Sequence, residues 1–219
     1  EYVINHLIQM YPVSTAAFHD SFQFDTYNND AICWEEDRAV THQLWKVACA
    51  TLLVKVPIFI ARQIRTSQVG LAYSDIYVEG ESFVFNEVSR RYVNDSPEFY
   101  NIEQWRVREG SSVKQGSTGL AEQGVQDTLE SKQALLHGEG LDDYIYWTRD
   151  EHIAPEQARA LLPQSMYTEF YMTGTLHRWA QFLQLRLKPD VQVETREVAD
   201  MIRATLRDNF PAWATQYNL

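Results

Sequence analysis

MYTEFYMTGTLHRWAQFLQLRL, residues 166–187, decides the fold. Met166–Thr173 is rich in aromatic and β-branched residues, which predicts a strand. Leu176, Trp179, Ala180, Leu183 and Leu187 then fall at helical spacing, which predicts an amphipathic helix. Val198, Met201, Ile202 and Leu206 form a second such stripe, ended by Pro211. Upstream, Thr51–Val56 is a β-favouring run. Pro57 sits where a helix can begin, since its missing N–H costs nothing at the first helical position. That helix would carry Ile58, Phe59, Arg62 and Gln63. Strands and helices are mixed without a βαβ rhythm, so the expected class is α+β. No boundary reads as a flexible linker, so one domain is expected over residues 1–219.

The remaining chain is read more coarsely. Residues 1–40 mix aromatics with turn residues and predict irregular structure with short strands; Thr41 is placed to cap a short helix from His42. Leu71–Phe85 alternates around Glu79-Gly80, which predicts a hairpin. Ser111–Thr118 reads as a loop. Gly119–His137 reads as a helix with Ala121, Val125, Leu129 and Leu136 near one face, ended by Gly138 and Gly140. Asp142–Asp150 predicts another helix, and Glu156–Leu162 a short one stopped at Pro163.

Composition narrows the function. Hydrophobic residues make up 45% of the 219 and charged ones 22%, ordinary for a globular protein. The formal net charge of -11 argues against nucleic-acid binding, which needs phosphate neutralisation by Lys and Arg. The cations are mostly Arg, a side chain suited to planar capture of phosphate or carboxylate; a compositional habit explains them equally well. The two cysteines, Cys33 and Cys49, form no CxxC, and the six histidines lack metal spacing, so no metal is expected. Cys49, in Val-Ala-Cys-Ala, reads as a small core residue. The longest apolar run is broken by Lys55 and Pro57 and is too short to span a bilayer, and no signal peptide opens the chain, so a cytoplasmic protein is expected.

Two constellations carry chemistry. In Phe85-Asn86-Glu87-Val88-Ser89-Arg90-Arg91-Tyr92, an extended chain points Glu87, Ser89 and Arg91 to one face. A hydroxyl beside a guanidinium suits a phosphate monoester, and a solvated strand face fits equally. On the helix Thr175–Leu187, His177, Gln181 and Gln184 share a face, whereas Arg186 continues the apolar row of Trp179 and Leu183. An arginine on such a row either snorkels at the helix end or meets an acceptor.

Pro57-Ile58-Phe59-Ile60-Ala61-Arg62-Gln63 followed by FNEVSRRY resembles the flavin-dependent thymidylate synthases, in which an Arg-Gln helix leads through an RHR-type triplet to Asn-Glu-x-x-Ser-x-Arg-Tyr. Ala158–Pro163 (ARALLP) and Met166–Arg186 resemble that family's Ala-Arg-x-x-Leu-Pro and its strand and helix ending in Leu-Arg; Gln192 and Glu194 match its Gln-x-Glu. The resemblance covers roughly residues 40–207. It implies a central, mostly antiparallel sheet with packed helices. It also implies a dUMP site from Gln63, Glu87, Ser89, Arg90, Arg91, Arg159 and Arg186, with Arg186 at the uracil ring, Ser89 and Arg91 at the phosphate, and Arg186 and Ser89 as the catalytic pair. Flavin contacts are implied for Ser67, Glu87, Thr175, His177 and Gln181, with FAD as cofactor, NADPH and methylenetetrahydrofolate as co-substrates, and a homotetramer with shared sites. The chain departs from the pattern twice. Thr66-Ser67-Gln68 (or, shifted by one, Arg65-Thr66-Ser67) stands where the RHR triplet belongs, and an extra stretch, roughly 72–84, follows it. A hydroxymethylase on the same fold and a non-catalytic nucleotide-binding homologue are the alternatives these departures keep open.

Overall fold

A computed structural model describes residues 8–11 (backbone), 48–66, 82–87, 96–108, 116–117 and 119–219. Among these residues the strands are β1 (Ile8–Tyr11), β2 (Cys49–Pro57), β3 (Val84–Glu87), β4 (Arg106–Val107), β5 (Gly119–Leu120) and β6 (Tyr167–Thr175). The helices are α1 (Ile58–Arg65), α2 (Gln123–Ile145), α3 (Pro155–Ala158), α4 (Leu176–Arg186), α5 (Val193–Asn209) and α6 (Pro211–Tyr217). The main sheet has the order β1-β2-β6-β3 with every pair antiparallel; β4 and β5 make a separate ladder. The expected α+β class and antiparallel sheet are what is found.

The β2–β6 ladder runs from Cys49↔Thr175 to Pro57↔Tyr167. Residues paired across an antiparallel ladder share a face, so Ala50, Leu52 and Val54 line one side with Gly174, Met172 and Phe170. That side is fully buried under Ile60 and Ile64 of α1, Trp179 and Leu183 of α4, and Val198, Ile202 and Leu206 of α5. On the other side Thr51 and Thr173 join hydroxyls at 2.8 Å, and the Lys55 ammonium donates to Glu98 at 2.9 Å. β2 buries Leu53 and Pro57 on its second face as well, so its sequence reads as a near-continuous apolar run, while β6 buries one face only and alternates. Two fully buried indoles each find an acceptor: Trp179 Nε1 donates to the Ala50 carbonyl and Trp213 Nε1 to the Leu176 carbonyl.

Both central strands turn directly into helices. Pro57 ends β2 and stands at the N-cap of α1; Thr175 ends β6, and its hydroxyl accepts the Arg178 N–H at 3.1 Å as the N-cap of α4. Pro211 both stops α5 and opens α6.

Residues 119–150 differ from the sequence expectation. Gly119 and Leu120 pair with Val107 and Arg106, and α2 starts only at Gln123. It then runs through Gly138 and Gly140 to Ile145 and into a π-helical turn at Tyr146–Asp150, so the expected second helix is its continuation. Gly140 is there for close packing, not for a stop: a Cβ would lie 3.1 Å from the Pro163 ring and 3.4 Å from the Leu161 carbonyl. The Val125–Leu136 stripe is also not a core face, since Val125 and Leu136 are exposed and the residues α2 buries are Gly140 and Tyr144. The expected helix at 156–162 is a single α-turn, Pro155–Ala158, continued as a 3-10 turn at Arg159–Leu161. Among the described residues no helix is long and apolar enough to cross a membrane. The predicted helix from His42 and most of the 71–85 hairpin lie outside the described residues.

Phe83, just before β3, seats its ring on Gly174 and packs edge-on against Trp179 (centroids 4.6 Å apart) and Phe182 (5.8 Å). A Cβ on residue 174 would come within 2.5 Å of that ring, and the aromatic neighbours leave it nowhere to go. Gly174→Ala is therefore expected to lose about 1–3 kcal/mol by overpacking. Urea unfolding at equilibrium measures it, and an unchanged midpoint would mean that the Phe83 ring does not sit on Gly174.

Candidate functional site

The last turn of α1, the last turn of α4 and the first turn of α5 converge on one polar cluster. Helix ends leave carbonyls without intrahelical partners, and the Gln63 carbonyl near the end of α1 is such a group. It accepts from Arg186 Nη2 at 2.5 Å and from the Thr66 hydroxyl at 3.2 Å. Arg186 thus faces inward, as its place on the Trp179–Leu183 row predicts. Burial pulls its pKa below the ordinary arginine value, and the guanidinium stays charged at neutral pH. Its Nε–H is buried and has no acceptor among the described residues. A buried donor without an acceptor is rare and costly, so this edge of the guanidinium suits a ligand's carbonyl or anionic oxygen.

The Gln63 side chain is clamped by α5. Its amide N–H donates to the Gln192 side-chain carbonyl, and its own carbonyl accepts the Thr195 hydroxyl at 3.0 Å. Gln192 donates at 2.9 Å to Glu194, whose other oxygen pairs with Arg106 of β4. Arg106 in turn donates through Nε to the Ser117 hydroxyl at 3.0 Å. Glu194 is only 4% exposed. Its charge is tolerated there because it sits in the first turn of a helix, accepts from Gln192 and faces a guanidinium.

A second cluster lies at the other end of α4. Arg178 Nη1 donates to Gln181 Oε1 at 3.3 Å, so the Gln181 amide nitrogen faces His177 Nε2 at 3.1 Å. His177 Nε2 must then accept, which leaves Nδ1–H to donate to the Tyr217 hydroxyl at 2.8 Å. These two contacts select the Nδ1–H tautomer. Burial pushes the Tyr217 phenol up. These half-buried amide, imidazole and phenol groups suit the carbonyl and imino edge of a flavin ring. Thr175, an expected flavin contact, spends its hydroxyl on the cap.

Glu87, at the edge strand β3, accepts from the Thr168 hydroxyl at 2.6 Å and from Arg65 Nη1 at 2.8 Å, with the Arg65 guanidinium over the Phe85 ring at 5.4 Å. Both partners of this ion pair are about half exposed, so it positions Glu87 more than it stabilises the fold. Arg159 sits on the exposed 3-10 turn and donates to the Glu156 carbonyl at 3.2 Å; among the described residues no hydrogen bond ties it to the Arg186 cluster. Ser67, Ser89, Arg90 and Arg91 lie outside the described residues. Gln63, Arg186, Gln192 and Glu194 are brought together; His177 and Gln181 form the second cluster. Arg106, Thr195 and Tyr217 were not anticipated. Arg106 sits in a stretch without periodicity, and Tyr217 lies beyond the matched motifs; the Gln-x-Glu ahead of the Val198–Leu206 stripe was the one signal for this end of α5. A cavity of about 420 Å³ runs along α5 between Leu187, Val193, Arg196, Glu197, Asp200 and Arg203, and neither Gln63 nor Arg186 lines it.

Residues 36–212 match the family model described as thymidylate synthase complementing protein. The chain is 32% identical over 170 residues to the flavin-dependent thymidylate synthase of Thermus thermophilus, covering 74% of this chain and 53% of that protein. It is 32% identical over 155 residues to the one of Treponema denticola, covering 69% and 53%. Among solved structures, the UMP/dUMP methylase PolB from Streptomyces cacaoi bound with 5-Br dUMP shares the fold at a TM-score of 0.68 and 20% identity, covering 98% of this chain and 95% of that one. The chain belongs to the thymidylate synthase complementing protein family, that of the flavin-dependent thymidylate synthases. It spans about half the length of the curated relatives it matches.

Glu197, one turn beyond Glu194, has its carboxyl pKa raised by burial and by the Glu194 charge, against the pull of Arg106 and Arg196. A carboxyl raised in the folded state is penalised when ionised. It therefore subtracts stability at neutral pH and ceases to do so once both folded and unfolded chains are protonated. Glu197→Gln is expected to raise the thermal midpoint at pH 7, with a gain that shrinks to nothing as pH falls below about 4. A gain that grows with acid in calorimetry would reverse the sign of this assignment.

Proposed function

We propose that this protein methylates dUMP at C5 as a flavin-dependent thymidylate synthase, taking the one-carbon unit from methylenetetrahydrofolate with FAD and NADPH. The carrying observation is Arg186, held on the Gln63 carbonyl with a buried Nε–H that lacks an acceptor. A pyrimidine carbonyl is that acceptor in this reading. Charge builds on the ring as the one-carbon unit joins C5, and a guanidinium already fixed in place stabilises that charge without reorganising. Ser89 and Arg91 take the phosphate, and Gln63, Glu87, Arg90 and Arg159 complete the nucleotide site. Ser67, Glu87, Thr175, His177 and Gln181 hold FAD, which supplies the hydride that originates from NADPH. His177, held between Gln181 and Tyr217, binds and orients. No enzyme thiolate takes part. Cys49 is exposed at the start of β2 and is not the core residue expected; desolvation still raises its thiol, which lowers its nucleophilic fraction at neutral pH.

A homotetramer with shared sites accords with this reading, because ten Phe, twelve Tyr and six Trp exceed what one small core takes up and aromatics are enriched at interfaces. A monomer in sedimentation at micromolar concentration would sink that part. Thr66-Ser67-Gln68 in place of the RHR triplet favours, as a second reading, a hydroxymethylase in which water completes the reaction; the mass of the nucleotide product separates the two.

The central test is Arg186→Ala in protein shown by its absorbance to carry flavin. Turnover should fall about a hundredfold to a thousandfold, the scale of losing one preorganised electrostatic contact. Arg186→Lys, which keeps the charge and loses the planar fork, should also be poor. Near wild-type turnover in Arg186→Ala would make this residue a helix-end cation and remove the proposed site at its centre.

A further inference from the structure

We propose that Glu194 is a positioning residue for Arg186: its buried carboxylate, held by Arg106, sets the direction of the hydrogen-bond chain through Gln192 and Gln63 on which the Arg186 guanidinium rests. This rests on the reading of Arg186 as the nucleotide contact.

The chain has only one consistent polarity. A carboxylate accepts and cannot donate. Gln192 must therefore turn its amide nitrogen to Glu194, at 2.9 Å, which turns its carbonyl to Gln63. Gln63 must answer with its own nitrogen, which leaves its carbonyl for the Thr195 hydroxyl at 3.0 Å. Each amide has two orientations of nearly equal shape, and the charge at Glu194 selects one of them along the whole chain. With both side-chain atoms of Gln63 clamped to α5, the last turn of α1 is pinned, and its main-chain carbonyl becomes a fixed post for Arg186 Nη2 at 2.5 Å. The orientation of the Arg186 Nε–H follows from that post.

Arg106 completes the device from a different part of the chain. It belongs to β4, and through its pairing with Glu194 it ties the β4–β5 ladder to the first turn of α5. The 4% exposure of Glu194 keeps water from substituting for either partner. Glu194→Gln keeps the shape and removes the rule: a carboxamide presents either oxygen or nitrogen to Gln192, so the selection of one polarity is lost.

A purely structural role, in which Glu194 only satisfies the start of α5, predicts a different outcome, and a double-mutant cycle tells the two apart. The full-length, flavin-loaded protein is compared as wild type, Glu194→Gln, Arg186→Lys and the double variant, for thermal midpoint, dUMP affinity by calorimetry and turnover. Glu194→Gln is expected to keep its flavin and fold, to bind dUMP about tenfold more weakly and to turn over about a hundredfold more slowly, the scale of a slightly misplaced site group. Added to Arg186→Lys, it should change neither quantity by more than about twofold, because residues acting through one another are not additive. Wild-type affinity and turnover in Glu194→Gln would overturn the proposal, as would an undiminished effect in the Arg186→Lys background. Should Glu194→Gln fail to fold, Gln192→Leu cuts the same chain while keeping the Glu194–Arg106 pair, and a normal enzyme there overturns the proposal equally. If Arg186→Ala is inactive while Glu194→Gln is normal, the positioning role alone falls; if Arg186→Ala is itself normal, the nucleotide site falls with it.

Discussion

The antiparallel β2–β6 ladder constrains everything that follows. Both strands run without a loop into helices, so α1 departs from one end of the ladder and α4 from the opposite end. The ladder is nine residues long, about 30 Å. The eight residues of α1 and eleven of α4 reach about 12 and 16 Å. Their summed length nearly equals the ladder, and both pack on the same apolar face, so their C-terminal turns meet. Two helix C-termini facing each other bring two partial negative charges together. Arg186, from one helix, donating to the Gln63 carbonyl of the other, is the electrostatic answer to that meeting. The position of the proposed nucleotide contact is thus a consequence of strand length and helix length.

This geometry explains which parts were legible in the sequence. β-branched and aromatic runs, a proline at a strand end and an apolar 3.6-residue rhythm are local signals; β2 and β6 were read from the first, α1 from the second and α4 from the third. Arg186 was legible because it breaks an apolar row, and a charge on a buried face has to be used. The α2 region misled for a related reason. Gly138 and Gly140 are stop signals only when the chain must turn; here Gly140 is small because Pro163 and Leu161 pass close by, a tertiary contact without local trace. The Val125–Leu136 stripe has helical period but meets no partner face within the described chain, so periodicity alone located a helix and misassigned its burial. Arg106 was invisible for the opposite reason: its role arises only when a two-residue ladder is set against a helix start 88 residues away.

The electrostatics are local in a chain whose overall charge is strongly negative. Arg106 and Arg186 sit where acceptors converge, while Glu194 and Glu197 crowd the first turns of α5. There the helix dipole favours carboxylates, but burial and mutual repulsion oppose a second one. Glu194 takes the guanidinium and the amide; Glu197 is left with the raised pKa. The Tyr100 phenol, in the same field, is pushed up by burial and by both carboxylates. Net charge therefore does not decide what this region attracts: around the start of α5, individual guanidiniums and carboxylates set the local field.

The two polar clusters are built on one helix, α4. His177 and Gln181 lie on its first turns and Arg186 on its last, and the span from Gln181 to Arg186 is five residues, about 7.5 Å of rise. Between them Phe182 and Leu183 are fully buried, as is Trp179 a turn earlier, so the helix cannot rotate without breaking the core. Under the proposed function this makes α4 a rigid spacer between the groups assigned to the cofactor and the group assigned to the pyrimidine. The selected tautomer of His177 at one end and the pinned carbonyl beneath Arg186 at the other are then two expressions of one arrangement. Hydrogen-bond chains, each with its direction imposed by a charged residue, hold the polar groups in register on a helix that the apolar core has already locked.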